Sequence, residues 1–280
     1  MEKVFTVTKI INEAHSNLAK KFKRDGFVCP ISAFSEAEAK DYRQQLEKAE
    51  ALFGTREEFN YGLRRDSNLL LPFVDEITRR QEITDIISKI LGPNLLVLDV
   101  PFFIKEPNTS SFVSWHQDLH YWGLETEEEV TAWLALSPAT VDSGCMRFVS
   151  GSQNQRIEHR DTFGDNNLLT RGQEVIVDVD ESIATEAELK PGQFSIHHGR
   201  VFHASHPNHS EDRRIGIAIR YIPTNARQLP GSNMAAMLVR GEDQHGNFRL
   251  CRPPSGIMEE KDIQYWSQIA SERNKVMMDP

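Results

Sequence analysis

Cysteine is scarce in this chain of 280 residues: only Cys29, Cys145 and Cys251 occur, far apart and without a CxxC pair. That excludes a cysteine-rich zinc site and a disulfide framework, and it predicts a reduced, cytoplasmic setting. Long apolar runs are also missing. Leu95 to Leu98 and Pro101 to Ile104 fall far short of the roughly 20 residues that cross a bilayer, so no membrane span is expected. The stretch Met1 to Lys9 mixes Glu2, Lys3 and Lys9 among apolar residues and offers no secretory signal. Positive charge is in deficit: 32 Lys and Arg face 41 Asp and Glu, a formal net charge of −9. Without a basic field, nucleic acid is not an expected partner. No repeat, low-complexity tract or flexible linker interrupts the chain, which reads as a single domain over 1–280.

What is present divides by texture. Ile11, Ala14, Leu18, Ala19 and Phe22 recur at helical spacing until Asp25-Gly26 stops them, which predicts a first helix over 11–24. Ser35 and Glu38 form a capping box ahead of a second helix over 36–52. A third is expected over 75–91, from Ile77, Ile83, Ile86, Ile87, Ile90 and Leu91, closed by Gly92-Pro93. After Pro93, short β-branched or apolar runs alternate with turn residues: 95–105, 130–136, 145–149, 174–179, 193–197 and 214–222. Many short strands mean a sandwich or barrel, and helices followed by strands mean α+β. The alternation in 174–180 and 214–220 predicts one buried and one wetter face for each. Pro230, Gly231, Gly241, Gly246 and Pro253-Pro254 predict long loops through 224–255.

The chemistry concentrates in two clusters. In Ser114-Trp-His-Gln-Asp-Leu-His-Tyr-Trp122, His116 and Asp118 lie two apart, so on an extended segment both face one side. An imidazole and a carboxylate aimed at one point are two of the three ligands of a non-haem iron(II) facial triad. The second cluster, 202–215, offers a third ligand from among His197, His198, His203, His206 and His209. Placement favours His203, which ends the apolar run Val201-Phe202; His206 and His209 flank a Pro-Asn turn. Arg214 opens the next strand and Ser205 sits two residues after His203. A guanidinium and a hydroxyl facing the metal would clamp a distal carboxylate.

The order His116-x-Asp118, His203-x-Ser205-x-x-Asn208-x-Ser210, then Arg214 resembles the phytanoyl-CoA dioxygenase family of iron(II), 2-oxoglutarate-dependent oxygenases. Asp25-Gly-Phe-Val28, Leu91-Gly-Pro93, Lys105-Glu-Pro107, Ser143-Gly144 and Val149-Ser-Gly-Ser152 fit its pattern too, so the likeness spans most of the chain. The resemblance implies a double-stranded β-helix (a jelly roll, cupin-like) over 94–223. Helical support would come from 1–93, with loops and a C-terminal helix over 224–280. It implies that His116, Asp118 and His203 bind iron(II), that Arg214 and Ser205 hold 2-oxoglutarate, and that dioxygen is consumed with release of succinate and CO2. Halogenating members have a small residue where Asp118 stands, so hydroxylation of an unactivated C–H bond in a small polar molecule is expected. The family often reads Gly-Ser-His where this chain has Gly151-Ser-Gln153; a structural role is expected for Gln153.

Other residues near these motifs carry two readings each. Gln117 points away from the ligands on a regular strand, or toward the co-substrate if the segment is irregular. His120 continues the parity of His116 and Asp118 and faces the substrate or solvent. Tyr121 and Trp122 line a pocket or fill the core, whereas Trp133 reads as core. Lys105 and Arg147, near strand ends, bind an anionic substrate or stand solvated, and His198 joins the candidate substrate residues. The acidic run Glu125 to Glu129 reads as a solvated loop. The stretch Trp115 to Leu124, with 130–148 and His197-His-Gly199, looks closest to bacterial members of the family, some of which hydroxylate aminoalkylphosphonates. Rival readings are a non-catalytic cupin-like binding module that keeps the metal triad, and a metal-dependent lyase or isomerase, which would not need Arg214.

Overall fold

A computed structural model of the chain describes residues 15–164, 166–169 and 171–278, and the side chains of residues 120, 121 and 275–278 lie outside that description. The first helix, α1, covers 15–25; the part of the expectation that falls on 11–14 lies outside the described residues. Strand β1 (Phe27–Ser32) follows, then α2 (Glu36–Phe53), opened by the expected capping box between Ser35 and Glu38. After α3 (Glu57–Leu63), the helix expected over 75–91 is two helices, α4 (Pro72–Thr78) and α5 (Gln81–Leu91). The reason lies in the spacing. Six residues separate Ile77 from Ile83, roughly 240° around a continuous helix, which would turn one of them away from the core. The break at 79–80 lets both reach the same core cluster.

The strands build one sheet of eight, one of four and one of two. The large sheet runs β1, β10 (Gln193–His197), β5 (Val130–Ala135), β12 (Arg214–Pro223), β2 (Leu95–Val97), β13 (Ala235–Arg240) and β14 (Arg249–Leu250), with β3 (Phe102–Lys105) paired to the start of β12. The small sheet runs β4 (Val113–His116), β11 (His203–Ser205), β6 (Met146–Phe148) and β9 (Thr185–Ala187). The pair β7 (His159–Asp161) and β8 (Gln173–Val175) stands apart. Strand β13 corrects the expectation of loops through 224–255. The apolar run Met234 to Val239 pairs with β2, Met237 opposite Val97, between its glycine- and proline-rich flanks. Residues 176–180 are likewise not strand, and Ile176 and Val177 are exposed.

Strand β12 explains most of the architecture. Its odd residues, Ile215, Ile217, Ile219 and Tyr221, join Leu46, Ile77, Ile83 and Ile87 of the helices in the largest core cluster. The C-terminal helix α6 (Glu260–Met278) adds Ile263, Trp266 and Ile269 to the same cluster. The even residues of β12, Arg214, Ala218 and Arg220, line a cavity instead. The wetter face expected for this strand is therefore buried inside the protein, because the small sheet covers it. A second cluster, including Trp133 and Ala218 from the large sheet and Met146 and Phe148 from the small one, closes the space between them. No described helix is long and apolar enough to cross a membrane.

Candidate active site

A cavity lies between the two sheets. The small sheet contributes Val113, His116, Met146, His203 and Ser205, and the large sheet Phe103, Trp133, His197, Arg214 and Arg220. His116 ends β4 and His203 begins β11; the two are register partners. Asp118 opens a 3-10 turn (Asp118–Tyr121) directly after β4. One ligand atom from each of these three lies within 4.8 Å of the other two.

The imidazoles are already oriented. His116 Nδ1 lies 2.9 Å from the Ser114 carbonyl and His203 Nδ1 3.0 Å from that of Val201. Each proton is thereby kept on Nδ1, and each Nε2 lone pair is left facing Asp118, at 3.4 Å and 3.8 Å. Burial lowers the His203 imidazole far below its usual range, with His116 and His197 adding to the effect, so it stays neutral. Burial alone would raise Asp118, but the charge of Arg220, with His116 and His197 close by, holds its carboxyl well below the ordinary value. Two imidazoles and one carboxylate form a donor set suited to a divalent metal such as iron(II), with positions left open.

On the other side of the triad, Arg214 is fully buried and stacks over the Trp133 ring, 5.1 Å from its centroid. The ring fits because residue 216 is glycine; a Cβ there would collide with the indole. The guanidinium donates to the Gly144 carbonyl at 2.8 Å, its Nε has no partner, and no described carboxylate pairs with it. Burial lowers it to about 10. Ser205 Oγ accepts from the Lys105 ammonium at 2.7 Å. Asn208 and Ser210 build the turn that leads into β12, Asn208 Nδ2 donating to the carbonyls of Lys105, Glu106 and Asp212.

Several expectations need correction. Gln117 does not reach the cavity. Its amide donates to the carbonyls of Gln155 and Arg200 and its Oε1 accepts from Ile157 N, so the whole group ties loops together. Lys105 is neither solvated nor in the cavity lining, but buried beside Arg214, its register partner, and Ser205. Arg147 alternates with Met146 and Phe148 and so faces the opposite side of β6. There it pairs with Glu181 and Glu186 at 2.7 and 2.8 Å and stacks over Trp115. His198 is outside the cavity for the same period-2 reason, its Nδ1 accepting from Arg200 N, while its neighbour His197 faces inward. Burial pushes His198 down to about 4. Trp122 stands behind the lining, with Arg220 over its ring at 4.6 Å, and Trp133 belongs to the core as expected while also lining the cavity. The side chains of His120 and Tyr121 lie outside the described residues. Gln153 Nε2 donates to the carbonyls of Lys23 and Arg24.

The sequence reading also missed a group of residues. Arg220 lines the cavity between Asp99, at 2.9 Å, and Asp118, at 3.7 Å. The signal was available, since Arg220 shares strand parity with Arg214. Glu129, the last of the acidic run, is buried rather than solvated and accepts from Thr131 Oγ1 at 2.7 Å. Burial raises its carboxyl well above the usual range, and the nearby Asp118 adds to this.

A sequence model described as phytanoyl-CoA dioxygenase (PhyH) matches residues 22–216. A probable alpha-ketoglutarate-dependent hypophosphite dioxygenase of Stutzerimonas stutzeri is 30% identical over 178 residues, 60% of each chain. A phytanoyl-CoA dioxygenase domain-containing protein 1 of Danio rerio is 27% identical over 150 residues, 51% of this chain and 50% of that one. The match thus spans 60% and 50% of these two relatives' length. Among solved structures, a non-heme monooxygenase, ThoJ in its apo form, superposes with a TM-score of 0.84 at 30% identity, covering 93% of this chain and 97% of that one. With the family's sequence model matched from α1 into β12, across both sheets and all three metal-binding candidates, the chain belongs to the phytanoyl-CoA dioxygenase family of iron(II), 2-oxoglutarate-dependent oxygenases.

Proposed function

We propose that the protein hydroxylates an unactivated C–H bond of a small polar molecule. His116, Asp118 and His203 hold the iron on a double-stranded β-helix supported by the helices. Arg214 and Ser205 receive the distal carboxylate of 2-oxoglutarate. The observation that carries this reading is Arg214. A buried guanidinium with an unpartnered Nε and no described counter-ion, in the same cavity as the triad, fits a carboxylate that arrives with the co-substrate. A lyase on the same frame has no use for such a cation.

When bound, iron(II) supplies the oxidation by dioxygen, coupled to conversion of 2-oxoglutarate into succinate and CO2. The chain's own residues do the rest. The carbonyls of Ser114 and Val201 fix the histidine tautomers, and Arg220 keeps Asp118 ionised and aimed between the rings. Phe103, Val113, Trp133 and Met146 give the cavity apolar walls that exclude water.

For the substrate, an anionic phosphorus compound such as an aminoalkylphosphonate is favoured. Its support is the likeness to a relative named for hypophosphite oxidation; Lys105 and Arg147, expected in that role, do not supply it, and the Arg220 guanidinium in the cavity is paired with Asp99 and Asp118. The test is an aerobic incubation of the iron-loaded protein with 2-oxoglutarate and a panel of phosphonates and phosphites. The expected result is succinate formed one-to-one with a product heavier by one oxygen. Succinate release that no phosphorus compound stimulates would overturn the substrate class, and a product without added oxygen would overturn hydroxylation.

A further inference from the structure

Lys105 and Arg214 sit side by side on paired strands, both completely enclosed, and neither meets a carboxylate among the described residues. Adjacent buried cations without an anion are costly, and the molecule relieves the cost at the lysine. The groups that face Lys105 are few. Arg214 lies across the pair on β12, the Cys145 thiol precedes β6, and Ser205 Oγ and the His206 carbonyl accept from the ammonium. The His206 ring is turned elsewhere, onto Arg147 at 2.7 Å, and Cys145 Sγ points to Glu186. Burial, with Arg214 second, brings the Lys105 ammonium down to about 6.

The position of Ser205 gives this lysine a role. Ser205 lines the cavity two residues beyond His203, and its Oγ accepts from Lys105. While the lysine is an ammonium it donates to Oγ, and the hydroxyl hydrogen is free to point into the cavity. A neutral amine can accept that hydrogen instead and draw it away.

We propose that Lys105 is a proton-switched positioning residue for the co-substrate: 2-oxoglutarate binds together with a proton taken up by Lys105, which then holds the Ser205 hydroxyl toward the distal carboxylate beside Arg214. The proton comes from solvent and returns to it when the carboxylate leaves. This inference rests on the co-substrate site proposed above. It adds a pH dependence that Arg214, still cationic at neutral pH, does not provide.

The test is anaerobic calorimetric titration of 2-oxoglutarate into iron(II)-loaded protein, in pairs of buffers with different ionisation enthalpies, with the visible charge-transfer band recorded in parallel. From a starting value of about 6, uptake should approach about one proton per site at pH 8 and fall to roughly a tenth at pH 5. The dissociation constant should rise by up to about tenfold per pH unit across that range. Lys105→Met should remove the uptake, and its affinity deficit should shrink as pH rises. Lys105→Arg, cationic at every pH used, should bind without uptake. No band and no heat would overturn the co-substrate site itself. Binding by the wild type without uptake at pH 8 would overturn the role of Lys105 alone, even if neither variant folds. Uptake that survives Lys105→Met would overturn it too.

Discussion

His203 and His116 are register partners across β11 and β4, their rings 4.0 Å apart and inclined at 47°. One sheet therefore delivers both imidazoles to one point, and Asp118 completes the set from the turn after β4. Replacing either histidine by Ala should weaken iron(II) binding by more than the ~10–100-fold that loss of an outer partner costs. Anaerobic metal titration checks this, and a loss under tenfold would place the metal elsewhere.

The indole of Trp133 occupies the space that a side chain at residue 216 would need. Gly216→Ala should overpack the sheet interface by ~1–3 kcal/mol, lowering the melting temperature by roughly 2–10 °C. It should also weaken 2-oxoglutarate binding, because the displaced ring no longer carries Arg214. Melting curves with and without the co-substrate read both effects. An unchanged melting temperature would contradict the packing.

The Glu129 carboxyl is raised well above its usual range by burial. Its contribution to stability is fully present below the unfolded value and is lost as pH rises toward the folded one, at about 1.4 kcal/mol per pH unit. Glu129→Gln removes that dependence. In metal-free protein the variant should match the wild type near pH 5 and exceed it near pH 8. A constant difference in melting temperature between those two pH values would show that Glu129 ionises freely.

Arg220 neutralises two buried carboxylates, Asp99 and Asp118. Arg220→Met should cost about 3–5 kcal/mol at neutral pH by leaving both without a cation. Asp118 is lowered in the folded protein, so the stability it brings is present above its unfolded value and is lost as pH falls through the folded one. The gap between wild type and variant should therefore hold down to about pH 4 and narrow as pH falls from there toward about 2. Paired melting curves across that range test it, and a gap that does not narrow would contradict the pairing.

The triad was legible in the sequence because strand periodicity puts residues two apart on one face, and because His203 begins a short strand between turns. Helix α2 was legible from its capping box. Parity, however, says which residues share a face and not which face is inner. His197 and His198 must point to opposite sides of β10, but only the register with Thr131 of β5 shows that His197 faces the cavity. Arg147 was misplaced for the same reason. Gln117 failed differently, because the chain leaves the strand between His116 and Asp118 and its amide meets loops remote in sequence. Lys105 was read as a contact for an anionic substrate or as a solvated charge, because its pairing with Arg214 is a long-range contact.

In the proposed function the triad and Arg214 together form one metal and co-substrate site. Adding iron(II) and then 2-oxoglutarate to metal-free protein under nitrogen tests it directly through the visible charge-transfer band of the bidentate chelate. The band should appear in the wild type and be absent in His203→Ala. In Arg214→Ala it should need roughly 30-fold to several-thousand-fold more co-substrate, the equivalent of about 2–5 kcal/mol. Iron binding without a band in the wild type, or a band indifferent to Arg214, would contradict the account.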